Sequence, residues 1–162
     1  MDKNYWIEKL KLQHHPDGGY FIENYRSKDF VEYLDGEMEK QHNAATSIYH
    51  LLESENHAFC HKLSADEIWY YHDGSPVTIF MIDPEGNFSV KICDPGEDEE
   101  MAVIIPKNTW FGPRVFEPKS YVLASCSLAP GFEFIDLQMA DRNELIRIYP
   151  KLKDVILKYM MI

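Results

Sequence analysis

Cysteine is scarce in this sequence of 162 residues. Only Cys60, Cys93 and Cys126 occur, and no two of them form a C-x-x-C pair. An odd number of cysteines excludes a fully paired disulfide framework, and the missing pair argues against a thiolate zinc site or a redox motif. We therefore expect three reduced and buried thiols that behave as small apolar side chains.

Basic residues and long apolar runs are also few. The chain has 16 Lys and Arg residues against 27 Asp and Glu residues, its net charge is −11, and its longest charge run, Glu97 to Glu100, is acidic. We expect neither nucleic acid nor a membrane as a partner, because both attract basic patches. No run approaches the roughly 20 apolar residues that span a bilayer, and residues 1–13 lack the apolar centre of a signal peptide. These absences predict a cytoplasmic protein.

The sequence instead contains a succession of short apolar and β-branched runs. They extend from Tyr20 to Met139, and turn signals such as Asp73-Gly74-Ser75-Pro76 and Pro130-Gly131 separate them. Many short strands divided by turn residues predict a mainly β sandwich or barrel. We expect residues 1–162 to form a single domain.

Helices are predicted on both sides of the β region. Asp2 can cap a short amphipathic helix within the first dozen residues, and a second helical segment follows Asp141 and is interrupted at Pro150. The polar and acidic run from Lys28 to Asn43 is expected to be a loop that reaches over the domain.

One stretch, HKLSADEIWYYHDG at residues 61–74, places polar groups among aromatic residues. Strand alternation predicts that Glu67, Trp69 and Tyr71 share one face, whereas His72 lies on the other. If the first face points inward, Glu67 and His61 meet in an aromatic-lined pocket of the kind that binds small molecules. The alternative is a structural hydrogen bond between His61 and Glu67 on neighbouring strands.

Several stretches in order resemble one known family. Glu67 to Gly74 resembles the end of the first cupin motif, and Pro106 to Phe111 resembles the second. The stretches HPDGGYFIENYRS, HKLSADEIW and LAPGFEFIDLQMA narrow the similarity to the cupin-5 family, the DUF985-type cupins. The resemblance implies a double-stranded β-helix, or jelly-roll barrel, with short N- and C-terminal helices, and a homodimer. It implies no particular reaction, because a fold does not fix a function.

The resemblance also indicates where a metal-binding cupin holds its ion. Such cupins use two histidines of an H-x-H pair, the motif glutamate and a histidine of the second motif. Glu67 and His61 match, but Phe59 and Phe111 occupy the other two positions, and His57 is a candidate substitute. We therefore expect no cofactor. A divalent metal held weakly by His61 and Glu67 is the alternative.

The strand after HHPDGGY supplies a second carboxylate. Alternation places Glu23 and Arg26 on opposite faces. If Glu23 points inward, it joins Glu67 and His61, and burial can divide the two carboxyl groups into one acid and one base. The alternative is that Glu23 pairs with Arg26 or with a backbone amide. Asp17 is expected to be a turn residue.

These residues are compatible with three functions. The first is a metal-independent isomerase or epimerase of a sugar-like small molecule, with His61 as general base and Glu67 or Glu23 as its acid or orienting partner. The second is a non-catalytic module that binds a small ligand, and the third is a metal-dependent cupin enzyme. The ring-bearing residues expected to contact the ligand are Trp69, Tyr71, Trp110, Tyr49, Phe111 and Phe132.

Overall fold

The computed structural model describes residues 1–16, 18–55 and 59–160, so that Asp17 and His57 lie outside the described residues. The helices are α1 (Lys3–Leu10), α2 (Arg142–Ile148) and α3 (Lys153–Tyr159), with 3-10 turns at Phe134–Asp136 and Pro150–Leu152. The strands are β1 (Gln13–His14), β2 (Tyr20–Arg26), β3 (Phe30–Asp35), β4 (Met38–Asn43), β5 (Thr46–Glu53), β6 (His61–Lys62), β7 (Asp66–Gly74), β8 (Val77–Ile82), β9 (Phe88–Cys93), β10 (Ala102–Ile105), β11 (Trp110–Arg114), β12 (Tyr121–Ala129) and β13 (Gln138–Met139).

Two antiparallel sheets enclose the main core. The first has the strand order β1-β2-β5-β12-β7-β10, and the second has the order β13-β6-β11-β8-β9. Side chains of both sheets pack between them, among them Leu52, Trp69, Ile79, Val103 and Phe111. β-branched and aromatic residues favour these strands because they fit a pleated, half-buried surface. The predicted mainly β fold of jelly-roll type with short terminal helices is confirmed.

The terminal helices form where the capping residues predict them. Asp2 caps α1, and the Asp141 carboxylate accepts a hydrogen bond from the Glu144 amide at 2.8 Å at the start of α2. Ile156 of α3 packs against Trp110 of β11, and this contact places α3 on the outer side of the second sheet. Within the described ranges, no helix has both the length and the apolar character needed to cross a membrane.

The expectation of a loop from Lys28 to Asn43 is wrong. Strands β3 and β4 pair along their whole length as a separate two-stranded sheet, with a turn at Gly36, whose φ is 63°. Lys40 of β4 forms an ion pair with Asp136, and His42 Nε2 lies 2.5 Å from Oδ2 of the same carboxylate, so these contacts hold the hairpin against the segment after β12. The segment is polar because water surrounds much of it, and polarity alone does not distinguish an exposed hairpin from a loop.

A bulge in β2 reverses the predicted alternation. Glu23 is paired with Ile48 of β5, and Tyr25 is paired with Ser47, the residue just before Ile48 in the sequence. Asn24 is therefore an extra residue in β2, and after it the side chains of β2 point to the faces opposite to those that simple alternation predicts. Arg26 therefore lies on the same side as Glu23, which corrects the expectation of opposite faces.

The three cysteines are buried and free, as predicted. Burial raises the pKa of the Cys60 thiol to about 12 and raises the pKa values of Cys93 and Cys126 as well. Protonated thiols in apolar surroundings are weak nucleophiles. The cysteines therefore act as small core side chains.

Candidate functional site

A cavity of about 150 Å³ lies at one end of the space between the two sheets. Residues of both sheets form its walls, and the segment after β12 borders it. The lining residues are His15, Phe21, Glu23, Arg26, Thr46, Ile48, His50, His61, Leu63, Glu67, Trp69, Pro113, Cys126, Leu128, Phe132, Glu133, Phe134 and Leu137. Most of these side chains are apolar, so the polar groups among them stand in surroundings of low polarity.

Three adjacent strands turn alternate residues toward the cavity. Cys126 of β12 is paired with Ile48 of β5 on one side and with Trp69 of β7 on the other. Because side chains alternate with a period of two, His50 and Glu67 fall on the same inner face as these three residues. Glu67 and Trp69 therefore share the inward face that alternation predicted.

Glu67 is a buried carboxyl group with one uncommitted oxygen. Its side chain is 6% exposed, Oε1 accepts a hydrogen bond from Trp69 Nε1 at 2.9 Å, and Oε2 has no partner. Burial raises the pKa of Glu67 to about 7, and the Trp69 indole and the Cys126 thiol lower it in part. The group can therefore both release and accept a proton near neutral pH.

His50 is a neutral imidazole on the same cavity. Its Nε2 atom is buried without a partner, and a hydrogen bond with the Gly18 backbone engages the ring. Burial first, and then the nearby His15, lower the pKa of His50 to about 3. The backbone bond favours the protonated ring, as donation to a carbonyl oxygen does, so the proton of the neutral ring lies on Nδ1. His50 Nε2 is thus a lone-pair acceptor on a residue that lines the cavity.

His61 lies on the cavity wall together with Glu67, at the position where the sequence predicted a base. Its Nδ1 lies 2.9 Å from the carbonyl oxygen of Phe59, and its ring centroid lies 4.4 Å from that of Phe111. A carbonyl oxygen only accepts, so His61 Nδ1 is the donor in this contact. The contact fixes the orientation of the ring and places the lone pair of the neutral form on Nε2.

A network of ion pairs surrounds Arg26 at the edge of the cavity. Arg26 Nε and Nη2 donate to the two oxygens of Glu23, each at 2.9 Å. Nη1 donates to Asn43 Oδ1 at 2.8 Å and to Glu133 Oε1 at 3.2 Å, and Nη2 donates to the Phe132 carbonyl at 3.2 Å. Glu23 thus forms the ion pair that was its alternative interpretation, although it also lines the cavity.

Only some of the aromatic residues that were expected to contact a ligand line the cavity. Trp69 and Phe132 line the cavity, whereas Phe111 lies behind His61 in the core. Tyr71 is on the inward face but farther along β7, where its hydroxyl donates to the Gly74 carbonyl at 2.6 Å.

The expectation that Tyr49 and Trp110 line the cavity is corrected. Tyr49 lies between the inward residues Ile48 and His50 of β5, so alternation turns it outward, toward α1. Trp110 is on the face of β11 that the C-terminal helices cover, and the Lys62 Nζ atom lies 4.6 Å from its ring centroid.

The four positions at which metal-binding cupins hold an ion do not provide a suitable donor set. Phe59 and Phe111 have no lone pair to donate, which leaves only His61 and Glu67. Across the ranges that the structure describes, no three His, Cys, Asp or Glu side chains are placed so that they could hold an ion. A catalytic metal usually needs about three protein ligands. The residues therefore do not fit a resident metal, and no chemical step is assigned to one.

Sequence reasoning missed His15, His50 and Glu133. His15 lies 5.3 Å from His50, measured between ring centroids, and both line the cavity. Alternation puts His50 on the same face of β5 as Ile48, but it does not say which face of that strand is inward. Neither His15 nor Glu133 belongs to a strand. Strand alternation therefore gives no direction for their side chains.

Comparisons with known proteins agree with this architecture. A family model described as cupin superfamily (DUF985) matches residues 4–140. A hypothetical protein from Leishmania major is 29% identical, with a TM-score of 0.88 and coverage of 98% of both chains. A protein from Shewanella oneidensis is 30% identical, with a TM-score of 0.83 and coverage of 99% of this chain and 98% of that one.

More distant likeness is limited to the fold. A cupin 2 domain-containing protein from Halorhodospira halophila is 10% identical, with a TM-score of 0.61 and coverage of 93% of this chain and 88% of that one. Among curated proteins, none matches the chain.

Proposed function

The chain belongs to the cupin superfamily, in its DUF985 family, and on that premise we propose that it is a metal-independent acid–base enzyme, an isomerase or epimerase of a small sugar-like substrate. The substrate binds in the cavity between the two sheets. Cupins as a fold class host both enzymes and binding proteins, so the proposal depends on the side chains of the cavity and not on the fold.

The observation behind the proposal is the state of Glu67. Its carboxyl group is buried, its Oε2 atom has no partner, and its pKa is raised to about 7 by burial. General acid–base catalysis is most effective when the pKa lies near the working pH. A structural carboxylate normally has all its oxygens hydrogen-bonded, so an uncommitted one on a cavity wall favours a role toward a ligand.

The second group of the proposed mechanism is His61. With Nδ1 donating to the Phe59 carbonyl, the lone pair of the neutral ring lies on Nε2, and this atom takes a proton from a carbon beside a substrate carbonyl. The electron pair of that C–H bond forms a C=C bond, the π pair of the carbonyl moves to its oxygen, and protonated Glu67 donates its proton there, which gives an enediol. Return of a proton to the neighbouring carbon gives the isomer, and return to the opposite face of the original carbon gives the epimer. In both cases the enediol hydroxyl that becomes the product carbonyl gives its proton back to Glu67. Each proton taken is returned, so no oxidant or reductant is required.

The size and walls of the cavity favour a compact substrate. A cavity of about 150 Å³ is similar to an engineered one that holds benzene, so about six to eight non-hydrogen atoms fit inside. Trp69, Phe21 and Phe132 provide flat apolar surfaces on which the carbon face of a sugar ring can lie.

Solvent-deuterium exchange tests this function without knowledge of the true substrate. The protein is incubated in D2O with glycolaldehyde, glyceraldehyde and erythrose, and incorporation of deuterium beside the carbonyl is followed by NMR. We expect exchange with at least one compound, and a loss of about 100-fold or more in Glu67→Gln. Glu8→Gln on the exposed side of α1 is the matched control and should leave the rate unchanged. Exchange that persists in Glu67→Gln would contradict the assigned role.

A non-catalytic binding module is the second candidate, and the mainly apolar wall favours it. It predicts saturable binding of the same compounds with no exchange of deuterium. Binding would then survive His61→Ala better than Trp69→Ala, because the ring of Trp69 supplies more contact surface than the imidazole. Isothermal calorimetry of the two variants separates this candidate from the enzyme.

A further inference from the structure

Two residues that line the cavity each have a buried side-chain acceptor atom without a hydrogen-bond partner. The atoms are His50 Nε2 and Glu67 Oε2, and both residues are 6% exposed. Both residues contact Trp69, since its ring centroid lies 5.5 Å from that of His50 and its Nε1 donates to Glu67. A buried polar atom without a partner is unfavourable, so a ligand that donates hydrogen bonds to these two atoms would relieve both.

The cationic group at the edge of the cavity has no donor left for a ligand. Arg26 is the single lysine or arginine among the described lining residues. A guanidinium has five N–H groups, and those of Arg26 are engaged with Glu23, Asn43, Glu133 and the Phe132 carbonyl. The carboxylates of Glu23 and Glu133 flank the one guanidinium there, so the edge of the cavity has a net negative charge.

From this arrangement we infer that the site selects uncharged, hydroxyl-rich ligands, whose O–H groups donate to His50 Nε2 and Glu67 Oε2, and rejects carboxylates and phosphate esters. The inference rests on the proposed function only for the location of the ligand in this cavity. An anion would be repelled by Glu23 and Glu133 and, when Glu67 is ionised, would meet acceptors instead of donors inside the cavity. A neutral sugar of the same length avoids both penalties.

A matched pair of probes tests the selectivity. Erythrose and erythronate have four carbons each, but erythrose has an aldehyde where erythronate has a carboxylate. Erythrose 4-phosphate is a second anion, in which a phosphate ester is added to erythrose. The readout is the indole N–H resonance of Trp69, which is assigned by its loss in Trp69→Phe and reports on the Glu67 carboxyl group. We expect erythrose to shift it saturably and the two anions to bind at least 10-fold more weakly. A resonance that responds to erythronate as strongly as to erythrose, or to neither, would overturn the inference.

A gain of anion binding provides the complementary test. The double variant Glu23→Gln/Glu133→Gln keeps the shapes of both side chains but removes both negative charges beside Arg26. We expect at least a 10-fold gain in affinity for erythronate and little change for erythrose. The double variant Glu97→Gln/Glu99→Gln makes the same change of net charge outside the cavity lining and should show no gain. Equal gains in the two double variants would contradict local selection by the edge of the cavity.

The failure of this inference differs from the failure of the proposed function. Saturable binding of erythrose with no deuterium exchange in any of the three aldehydes removes the enzyme but leaves the selectivity intact. Deuterium exchange in erythronate or in the phosphate ester keeps the enzyme and overturns the selectivity. Glu133→Gln alone keeps the bidentate pair of Glu23 with Arg26, so it supplies an intermediate case if the double variant folds poorly.

Discussion

At the scale of single residues, the burial of Glu67 predicts a dependence of stability on pH. Its pKa is raised from 4.5 to about 7 in the folded protein, so the folded state holds this proton more tightly than the unfolded chain. The contribution to stability is therefore complete below about pH 4.5, falls as the pH rises through 7, and then levels off. The total change is on the order of 3 kcal/mol.

Comparison with Glu67→Gln isolates this contribution. Urea unfolding of both proteins at pH 4.5 and pH 8 gives a difference in unfolding free energy at each pH. We expect the unfolding free energy of the variant, relative to that of the native protein, to rise by about 3 kcal/mol from pH 4.5 to pH 8, because glutamine does not ionise. Glu8→Gln should show a constant difference. If the unfolding free energies of Glu67→Gln and the native protein changed in parallel with pH, the ionisation of Glu67 would not destabilise the folded state, and the prediction would be wrong.

Gly19 and Gly36 form a second test at the residue scale. Both have a positive φ, 76° and 63°, but an added Cβ at Gly19 would overlap the Leu51 carbonyl oxygen, whereas nothing lies within 4 Å at Gly36. We expect Gly19→Ala to lower the unfolding free energy by about 3 kcal/mol or more. Gly36→Ala should cost on the order of 1 kcal/mol from backbone conformation alone. Equal losses in thermal or urea unfolding would show that the contact with β5 is unimportant.

At the scale of elements, Asp136 fastens the β3–β4 hairpin to the body of the protein. Its side chain is 7% exposed and pairs with Lys40 and with His42, and the pair raises the pKa of Lys40. Asp136→Asn removes the carboxylate that contacts buried His42 and one of the two carboxylates that pair with Lys40, so we expect the hairpin to open more often, by about 10-fold or more. Hydrogen exchange of residues 30–43 measures the opening.

Asp35→Asn is the control for this experiment. Asp35 also pairs with Lys40, but its side chain is 35% exposed, and pairs open to water contribute little. A hairpin that exchanges equally fast in the two variants would contradict the anchoring role of Asp136.

Alternation along regular strands was predictable, and its interruptions were not. In β7 the inward position of Glu67 and Trp69 followed from the period of two, because the strand is regular from Glu67 to Tyr71. In β2 a bulge after Glu23 places Arg26 beside it, and a bulge depends on the partner strand, which a single sequence does not reveal.

Other parts of the site were missed for a different reason. Alternation gives two complementary faces, and in β5 and β11 nothing local indicated which face is inward. Tyr49 and Trp110 were therefore assigned to the cavity, although His50 and Pro113 occupy it. The Asp35-Gly36 pair is a recognised turn signal for a hairpin, so β3 and β4 could have been predicted from it.

At the scale of the whole molecule, the homodimer that the family resemblance implies stays a prediction. Within the described chain, β10 pairs with β7 alone, and Ile104 on β10 is 61% exposed. Light scattering should give twice the mass of the chain, and Ile104→Lys should give the single mass. Val90→Lys, on β9 at the edge of the other sheet, is the control. A native protein of single mass would contradict the prediction.

The cavity wall joins distant parts of the chain, since residues 15–26 supply one side and residues 132–137 another. During synthesis, a nascent polypeptide therefore has no complete cavity wall until translation has passed Leu137. A small molecule that binds there, as we propose, would stabilise only chains that have passed this point, and would not assist the earlier stages of folding on the ribosome.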